Sequence, residues 1–193
     1  SDSLVFNSQD SCLTMYKDPV VWSDGRQLLG EVIKVYMNDS TVRFAQVIDQ
    51  ALSVEQMPDK QHYNQVASRL MNAYFDQGNI RQTEAIGNVR TVYYYTDDKD
   101  SSLVALNYME TDTLRMYLSD KRQLERVWAS KPEGTMYPIS QIPPGKEKLD
   151  AFVWLEEQRP KDKDDIFNWR GKKPGEGLVV RKRHEAPLQR LDH

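Results

Sequence analysis

A strand-like pentapeptide occurs three times in the chain, at residues 33–37, 71–75 and 114–118. In each copy the first, third and fifth residues are apolar, the second is polar and the fourth is tyrosine. Because successive side chains of a strand point to opposite faces, each copy has one apolar face and one face that carries the tyrosine. Turn-forming residues and a second strand-like run follow each copy. The copies start 38 and 43 residues apart, so the pattern predicts a repeat architecture of stacked hairpins.

Composition agrees with this architecture. The chain has 193 residues, of which 39% are hydrophobic, and a mean hydropathy of -0.72. This hydrophobic content is low for a compact core, but it suits strands that are polar on one side. No run of about 18 apolar residues occurs, so the sequence excludes an apolar membrane-spanning helix. The chain starts at Ser1 without a leader-like segment, and residues 4–10 resemble the end of another copy; we therefore expect a processed piece of a longer repeat protein.

Turn-forming residues recur about every ten residues up to residue 132, which is typical of all-β proteins. Asp49-Gln50 and Gly87-Asn88 are two of these predicted turns. The stretch 63–74 has few breakers and also fits a helix, but its match to the other copies favours a strand. The third copy has an extra residue, Gln123, before its return strand, which predicts a β-bulge.

The sequence predicts three regions. Residues 1–145 are expected to form the all-β domain. Prolines and charged residues become frequent beyond residue 130, so 146–170 is predicted as a capping segment. Within it, residues 149–158 are expected to be irregular or to form a short helix, with Phe152 and Leu155 covering an open end of the strand stack. Residues 171–193 are rich in Lys, Arg, Gly and Pro and are predicted to be a flexible basic tail.

No catalytic or metal-binding pattern stands out. The chain has three histidines, His62, His184 and His193, and no nucleotide-binding or hydrolase motif. His62 is predicted to be a solvated surface residue, residues 97–100 an acidic hairpin turn, and Cys12 a small apolar strand residue. We therefore expect no enzyme activity, no catalytic residue, no metal site and no cofactor.

Basic residues between 170 and 183 suit either a solvated tail or a contact with phosphates of a lipid or nucleic acid. That stretch lacks interleaved aromatic residues, and the formal net charge of the chain is -3. These features argue against nucleic acid as a partner.

The apolar residues of the three copies form a continuous stripe when the copies stack in register. Apolar residues of the return strands are expected to widen it. The predicted stripe consists of Ile33, Val35, Met37, Val42, Phe44, Met71, Ala73, Phe75, Ile80, Leu114, Met116, Leu118 and Leu124. Two interpretations stay open: the stripe is a closed core, or it lines a groove for long apolar chains. Its methionines favour a groove because flexible thioethers adapt to variable guests.

Several short motifs resemble the OstA-like proteins of Gram-negative bacteria, a group similar to the periplasmic lipopolysaccharide transport protein LptA and the amino-terminal domain of LptD. The resemblance covers about residues 2–170. The motifs are DSLVFNSQDS (2–11), MYKDPVVW (15–22), QLLGE (27–31), GNV (87–89), YP (137–138), FVW (152–154), RP (159–160) and DIF (165–167).

This resemblance implies a twisted, open β-jellyroll of stacked V-shaped strand layers in the periplasm. It also implies a non-enzymatic role in carrying lipopolysaccharide to the outer membrane, with the lipid A acyl chains held in the groove. Other lipopolysaccharide transport proteins, or further copies of the chain in a homo-oligomer, would join end to end by strand pairing.

The leading hypothesis is therefore a lipopolysaccharide-binding module whose stripe is the lipid groove. The alternative is a structural interaction module with a closed core, whose free strand edges join neighbours by β-augmentation. A carbohydrate-active β-solenoid is a distant third hypothesis, because no pair of carboxylates stands out within a repeat.

Overall fold

The computed structural model describes residues 3–23, 25–97, 99–121 and 123–161. Residues 3–154 belong to one compact unit, and Leu155 begins a second one. The predicted basic tail, 171–193, lies outside the described residues, as do residues 162–170 of the predicted capping segment.

The described residues form one open antiparallel sheet. The strands are β1 (Ser3–Asn7), β2 (Cys12–Tyr16), β3 (Val20–Ser23), β4 (Arg26–Leu29), β5 (Val32–Asn38), β6 (Thr41–Gln56), β7 (Tyr63–Asp76), β8 (Asn79–Thr96), β9 (Leu103–Leu118), β10 (Leu124–Ala129) and β11 (Glu133–Pro138). Their order is β1-β2-β5-β6-β7-β8-β9-β10, with β3 and β4 beside β6 and with β11 beside β9. The predicted fold class, an open all-β jellyroll, is confirmed, and so is the strand at 63–74.

The longest strands bend near their middle. The pairing register of β6 shifts at Asp49 and Gln50, whose φ angles are 55° and 49°. That of β8 shifts at Gly87 and Asn88, whose φ angles are 81° and 51°. Asp and Asn tolerate this left-handed conformation better than most residues, and Gly adopts it freely. The prediction of turns at these two pairs is wrong, because each ladder resumes within the same strand beyond the bulge.

These bends divide the sheet along a fold line into two half-sheets. The first half-sheet contains β1, β2, β5 and β10 with residues 41–48, 70–76, 79–86 and 113–118. The second half-sheet contains β3, β4 and β11 with residues 51–56, 63–68, 89–96 and 103–111.

The hydrophobic core lies at the fold line. Its buried members are Ile33, Val47, Ala51, Met71, Ala85, Val89 and Leu114. Partly buried side chains pack against it from both half-sheets, among them Met15 and Met116 from the first and Leu28 and Met109 from the second. Full burial of one large aliphatic side chain stabilises a fold by about 1.5–3 kcal/mol. One cluster thus holds the inner faces of both half-sheets together.

Each of the three repeat copies has a bulge in its return strand. The bulged residues are Arg43 opposite the first copy, Arg81 opposite the second and Glu125 opposite the third. The bulge predicted for the third copy is confirmed. The sequence did not predict the other two, because no extra residue marks their turns.

An irregular segment, residues 139–154, here called the strap, lies across the outer face of the second half-sheet. Two fully buried glutamines of the sheet hold its main chain. Gln27 donates from Nε2 to the carbonyl of Val153 at 2.8 Å. Gln65 donates to the carbonyl of Glu147 and accepts from the N–H of Leu149, both at 2.8 Å. The strap therefore satisfies buried amides that would otherwise be costly.

Aromatic contacts complete the strap. The ring centroid of Phe152 lies 5.1 Å from that of Tyr63, and Trp154 lies 5.0 Å from Trp22. Of the two forms predicted for 149–158, the irregular one fits the structure: the only helical residues of this stretch are Glu156–Gln158, in a short 3-10 helix. Phe152 packs on a sheet face and does not cover an open end, because the buried glutamines fix the strap in an extended path.

Replacement of Gln65 by Ala is expected to lower the free energy of unfolding by roughly 1–3 kcal/mol, since it leaves the N–H of the buried Leu149 and the carbonyl of Glu147 without their partner. Urea denaturation followed by tryptophan fluorescence would measure this loss. Gln61→Ala is the control, because Gln61 is exposed, and it should change the free energy by no more than about 0.5 kcal/mol. Equal stability of both variants would show that the strap contributes nothing to folding.

Candidate functional site

The inner face of the first half-sheet is a continuous apolar surface, here called the apolar wall. In its row nearest the fold line, Ile33, Val47, Met71, Ala85 and Leu114 lie directly opposite one another on successive strands. The register predicted for the three repeat copies is thereby confirmed.

Two further rows extend the apolar wall away from the fold line. The second row is Val35, Ala45, Ala73, Thr83 and Met116. The rim row is Met37, Val42, Phe75, Ile80, Leu118 and Leu124.

Burial differs between these rows. Side chains of the first row are at most 9% exposed, whereas the second row and most of the rim row are half-buried and Leu124 at the rim is 46% exposed. A closed sandwich would bury all three rows alike. The inner faces therefore meet at the fold line and leave a groove open towards the rim.

Phe44 does not belong to the apolar wall, and the prediction that it does is wrong. The bulge at Arg43 reverses the alternation of side chains, so Val42 points inward and Phe44 points outward. Phe44 instead packs between Tyr36 and Tyr74, with ring centroids 5.6 Å and 5.1 Å away. The sequence places all other residues of the predicted stripe on the correct face.

The outer face of the first half-sheet also carries a polar ladder. Gln46 donates to Asn72 at 3.1 Å, Asn72 donates to Glu84 at 3.3 Å, and Arg115 donates to the same carboxylate at 2.6 Å. The hydrogen bond to Glu84 raises the pKa of Arg115. Because these cross-strand groups satisfy one another, they account for the polar residues that alternate with the apolar wall.

The inner face of the second half-sheet differs in chemistry from the apolar wall. Beyond the core residues it carries the exposed Met136 and five mostly polar residues, Arg26, Glu55, Tyr93, Tyr95 and Asn107, here called the polar strip. The guanidinium of Arg26 donates twice to one Glu55 oxygen, at 3.1 Å and 2.9 Å. The rings of Tyr93 and Tyr95 lie 5.2 Å apart at 74° and are 41% and 44% exposed. Partial burial, and then the charge of Glu55, raise the pKa of Tyr93.

Sequence analysis missed the polar strip. Its five residues come from four strands, and no short motif unites them. One signal was present: Tyr93 and Tyr95 flank the buried Tyr94, and such alternation places the outer two on one face of a strand.

His62 lies at the surface with its side chain 27% exposed, and it is paired with Asp59. Its Nδ1 lies 2.6 Å from Asp59 Oδ2, and its ring packs edge-on against Tyr94. The hydrogen bond from the N–H of Gln61 is the main cause that lowers the pKa of Asp59 to about 2. Hydrogen bonds from the backbone and side chain of His62 lower it further. The pair closes the loop between β6 and β7.

Among the residues that the structure describes, no group of three or more His, Cys, Asp or Glu side chains could hold a metal ion. No helix within the same residues is long and apolar enough to cross a membrane.

Among the solved structures that match this chain is the crystal structure of LptH from Pseudomonas aeruginosa, described as the LptA homologous periplasmic component of the conserved lipopolysaccharide transport device. The two chains are 12% identical with a TM-score of 0.49, over 70% of this chain and 90% of LptH. No family model and no curated protein matches the sequence.

Replacement of Asp59 by Asn is expected to destabilise the protein at neutral pH and to matter less in acid. The pKa of Asp59 is below its ordinary value of 3.8 in the folded protein. Its carboxylate therefore stabilises the fold fully above about pH 4, and this contribution is lost as the pH falls through about 2. Urea midpoints of both proteins between about pH 2 and pH 7 would measure the effect. A constant difference across that range would contradict this assignment.

Proposed function

We propose that the chain is a periplasmic lipopolysaccharide-binding module that helps carry lipopolysaccharide to the outer membrane. In this proposal the lipid A acyl chains lie on the apolar wall, and the protein performs no catalysis. The change from a buried row at the fold line to partly exposed apolar rows beyond it is the main support, because it fits a groove with an apolar lining. The resemblance of the motifs to OstA-like proteins supports the same role.

The dimensions of the apolar wall suit acyl chains. The path from β1 to β10 has eight strands and therefore seven spacings, which span roughly 34 Å at about 4.8 Å each. Acyl chains of one membrane leaflet span about 15 Å, half of a hydrocarbon core of about 30 Å. Each methylene removed from water contributes about 0.8 kcal/mol, so a partly held chain would gain several kcal/mol.

A second candidate function rests on the strand edges. The edge strand β1 exposes Leu4, Val5 and Phe6, and β10 exposes Val127 and Trp128. Exposed apolar edges are templates for pairing with another chain. We propose that these edges join other lipopolysaccharide transport proteins or further copies of the chain end to end. A structural module that only joins neighbours would use the edges and not the groove.

A photo-crosslinking residue at position 75 is expected to capture lipopolysaccharide, whereas one at position 74 is not. Phe75 lies on the apolar wall, and its neighbour Tyr74 lies on the outer face of the same strand. The two variants should be irradiated in Gram-negative cells that express the chain, and adducts detected with a lipopolysaccharide antibody. Absence of adduct at both positions in a folded, correctly localised protein would favour the structural module. Equal adducts would contradict the assigned faces.

Light scattering is expected to show a mean mass that rises with protein concentration, because β1 and β10 leave free edges. Val5→Lys should reduce this association, since a charge on an edge strand blocks pairing. Val104→Lys is the matched control: Val104 is 51% exposed, similar to 53% for Val5, but it lies at a bulge of the β8–β9 ladder and not on the edge strand β1 or β10. A monomeric mass at all concentrations would refute end-to-end pairing.

A further inference from the structure

The groove has two chemically different sides. Its first side is the apolar wall. On its second side the side chains nearest the fold line, such as Leu28 and Met109, belong to the core, and the polar strip follows two residues further out on the same strands. An amphiphile in this groove would therefore meet apolar side chains on one side and hydrogen-bonding groups on the other.

The polar strip remains accessible. The side chains of Arg26 and Glu55 are 47% and 34% exposed, and both tyrosine rings are more than two-fifths exposed. Partly exposed tyrosines are typical of surfaces where one end of a ligand is apolar and the other is wet. The nearly perpendicular rings of Tyr93 and Tyr95 form a corner with one hydroxyl each.

The hydrogen-bonding groups of the strip are mixed and carry no net charge. The carboxylate of Glu55 takes the guanidinium of Arg26 on one oxygen and the amide of Asn64, at 3.3 Å, on the other. Glu55 Oε1 already accepts two hydrogen bonds from Arg26, but Oε2 can accept one more, and Asn107 and the phenols both donate and accept. Sugar hydroxyls also donate and accept, and the C–H faces of a sugar ring are apolar enough to pack on tyrosine.

We propose that the polar strip binds an uncharged sugar ring of the glycolipid whose acyl chains lie on the apolar wall. This inference rests on the proposed function and adds the part of the ligand that sets its orientation. A phosphate is disfavoured at the strip itself, because Glu55 already neutralises Arg26 and would repel a phosphate placed beside it. Phosphates of the glycolipid would therefore lie outside the strip. The strip would thus select glycolipids over other lipids with the same chains.

Two probes with the same alkyl chain separate the contributions of headgroup and chain. Dodecyl maltoside carries an uncharged sugar, and dodecyl phosphate carries an anion. Both are titrated into the full chain below their critical micelle concentrations, with binding followed by calorimetry. Dodecyl maltoside is expected to bind about tenfold more tightly than dodecyl phosphate.

Replacement of Tyr93 and Tyr95 together by Ala is expected to weaken dodecyl maltoside binding about tenfold and to leave dodecyl phosphate nearly unchanged. Tyr74→Ala is the matched control, because Tyr74 is 39% exposed but lies on the outer face; it should change neither affinity. Phe75→Glu should weaken both probes, because it acts on the alkyl chain. Circular dichroism would verify that each variant is folded.

Other outcomes overturn the inference in different ways. If both probes bind equally, or if the double tyrosine variant weakens both alike, the polar strip does not recognise sugar while the lipid groove stands. Tighter binding of dodecyl phosphate that Arg26→Gln abolishes would make the strip an anion site. If neither probe binds, or if Phe75→Glu changes neither affinity, the proposed function itself fails.

Discussion

The fold depends on the left-handed backbone at two positions in the middle of long strands. A single sheet of straight strands, apolar on one face only, would have nothing to pack against and would leave that face in water. The bulges at Asp49-Gln50 and Gly87-Asn88 bend the sheet so that its two halves bury one shared cluster. A single sheet thereby supplies both layers of a sandwich. The groove, the polar strip and the strap all take their positions from this fold line.

The two half-sheets satisfy their outer faces in different ways. The second half-sheet is covered by the strap, whose main chain binds the buried Gln27 and Gln65. The first half-sheet has no such cover among the described residues. Its outer polar side chains instead bond to one another across strands, as Arg115 does to Glu84. One side of the groove is therefore backed by an additional layer, whereas the other is the sheet alone. The apolar side of the groove is the thinner one.

Periodicity of two predicted much of this structure because it acts within single strands. It placed Ile33, Met71 and Leu114 in register and on one face. The prediction failed where a bulge breaks the two-residue alternation of side chains. The bulge at Arg43 sent Phe44 to the opposite face, and no sequence signal announced that bulge. Turn-forming residues at Gly87-Asn88 were recognised, but a local pattern does not distinguish a chain reversal from a bend within a strand. The strap depends on contacts across more than 80 residues, which local patterns cannot show.

The bulges near the rim also determine what the groove presents to a ligand. Each return strand places a charged residue, Arg43, Arg81 or Glu125, at its bulge, and the next residue towards the turn, such as Val42 or Ile80, faces inward. A regular strand would keep one alternation throughout and could not place both Val47 and Val42 on the inner face. Because each hairpin copy has its own bulge, each adds two strands to the apolar wall, and the apolar side chains of both strands face inward. The number of copies, rather than any single side chain, therefore sets the length of the groove.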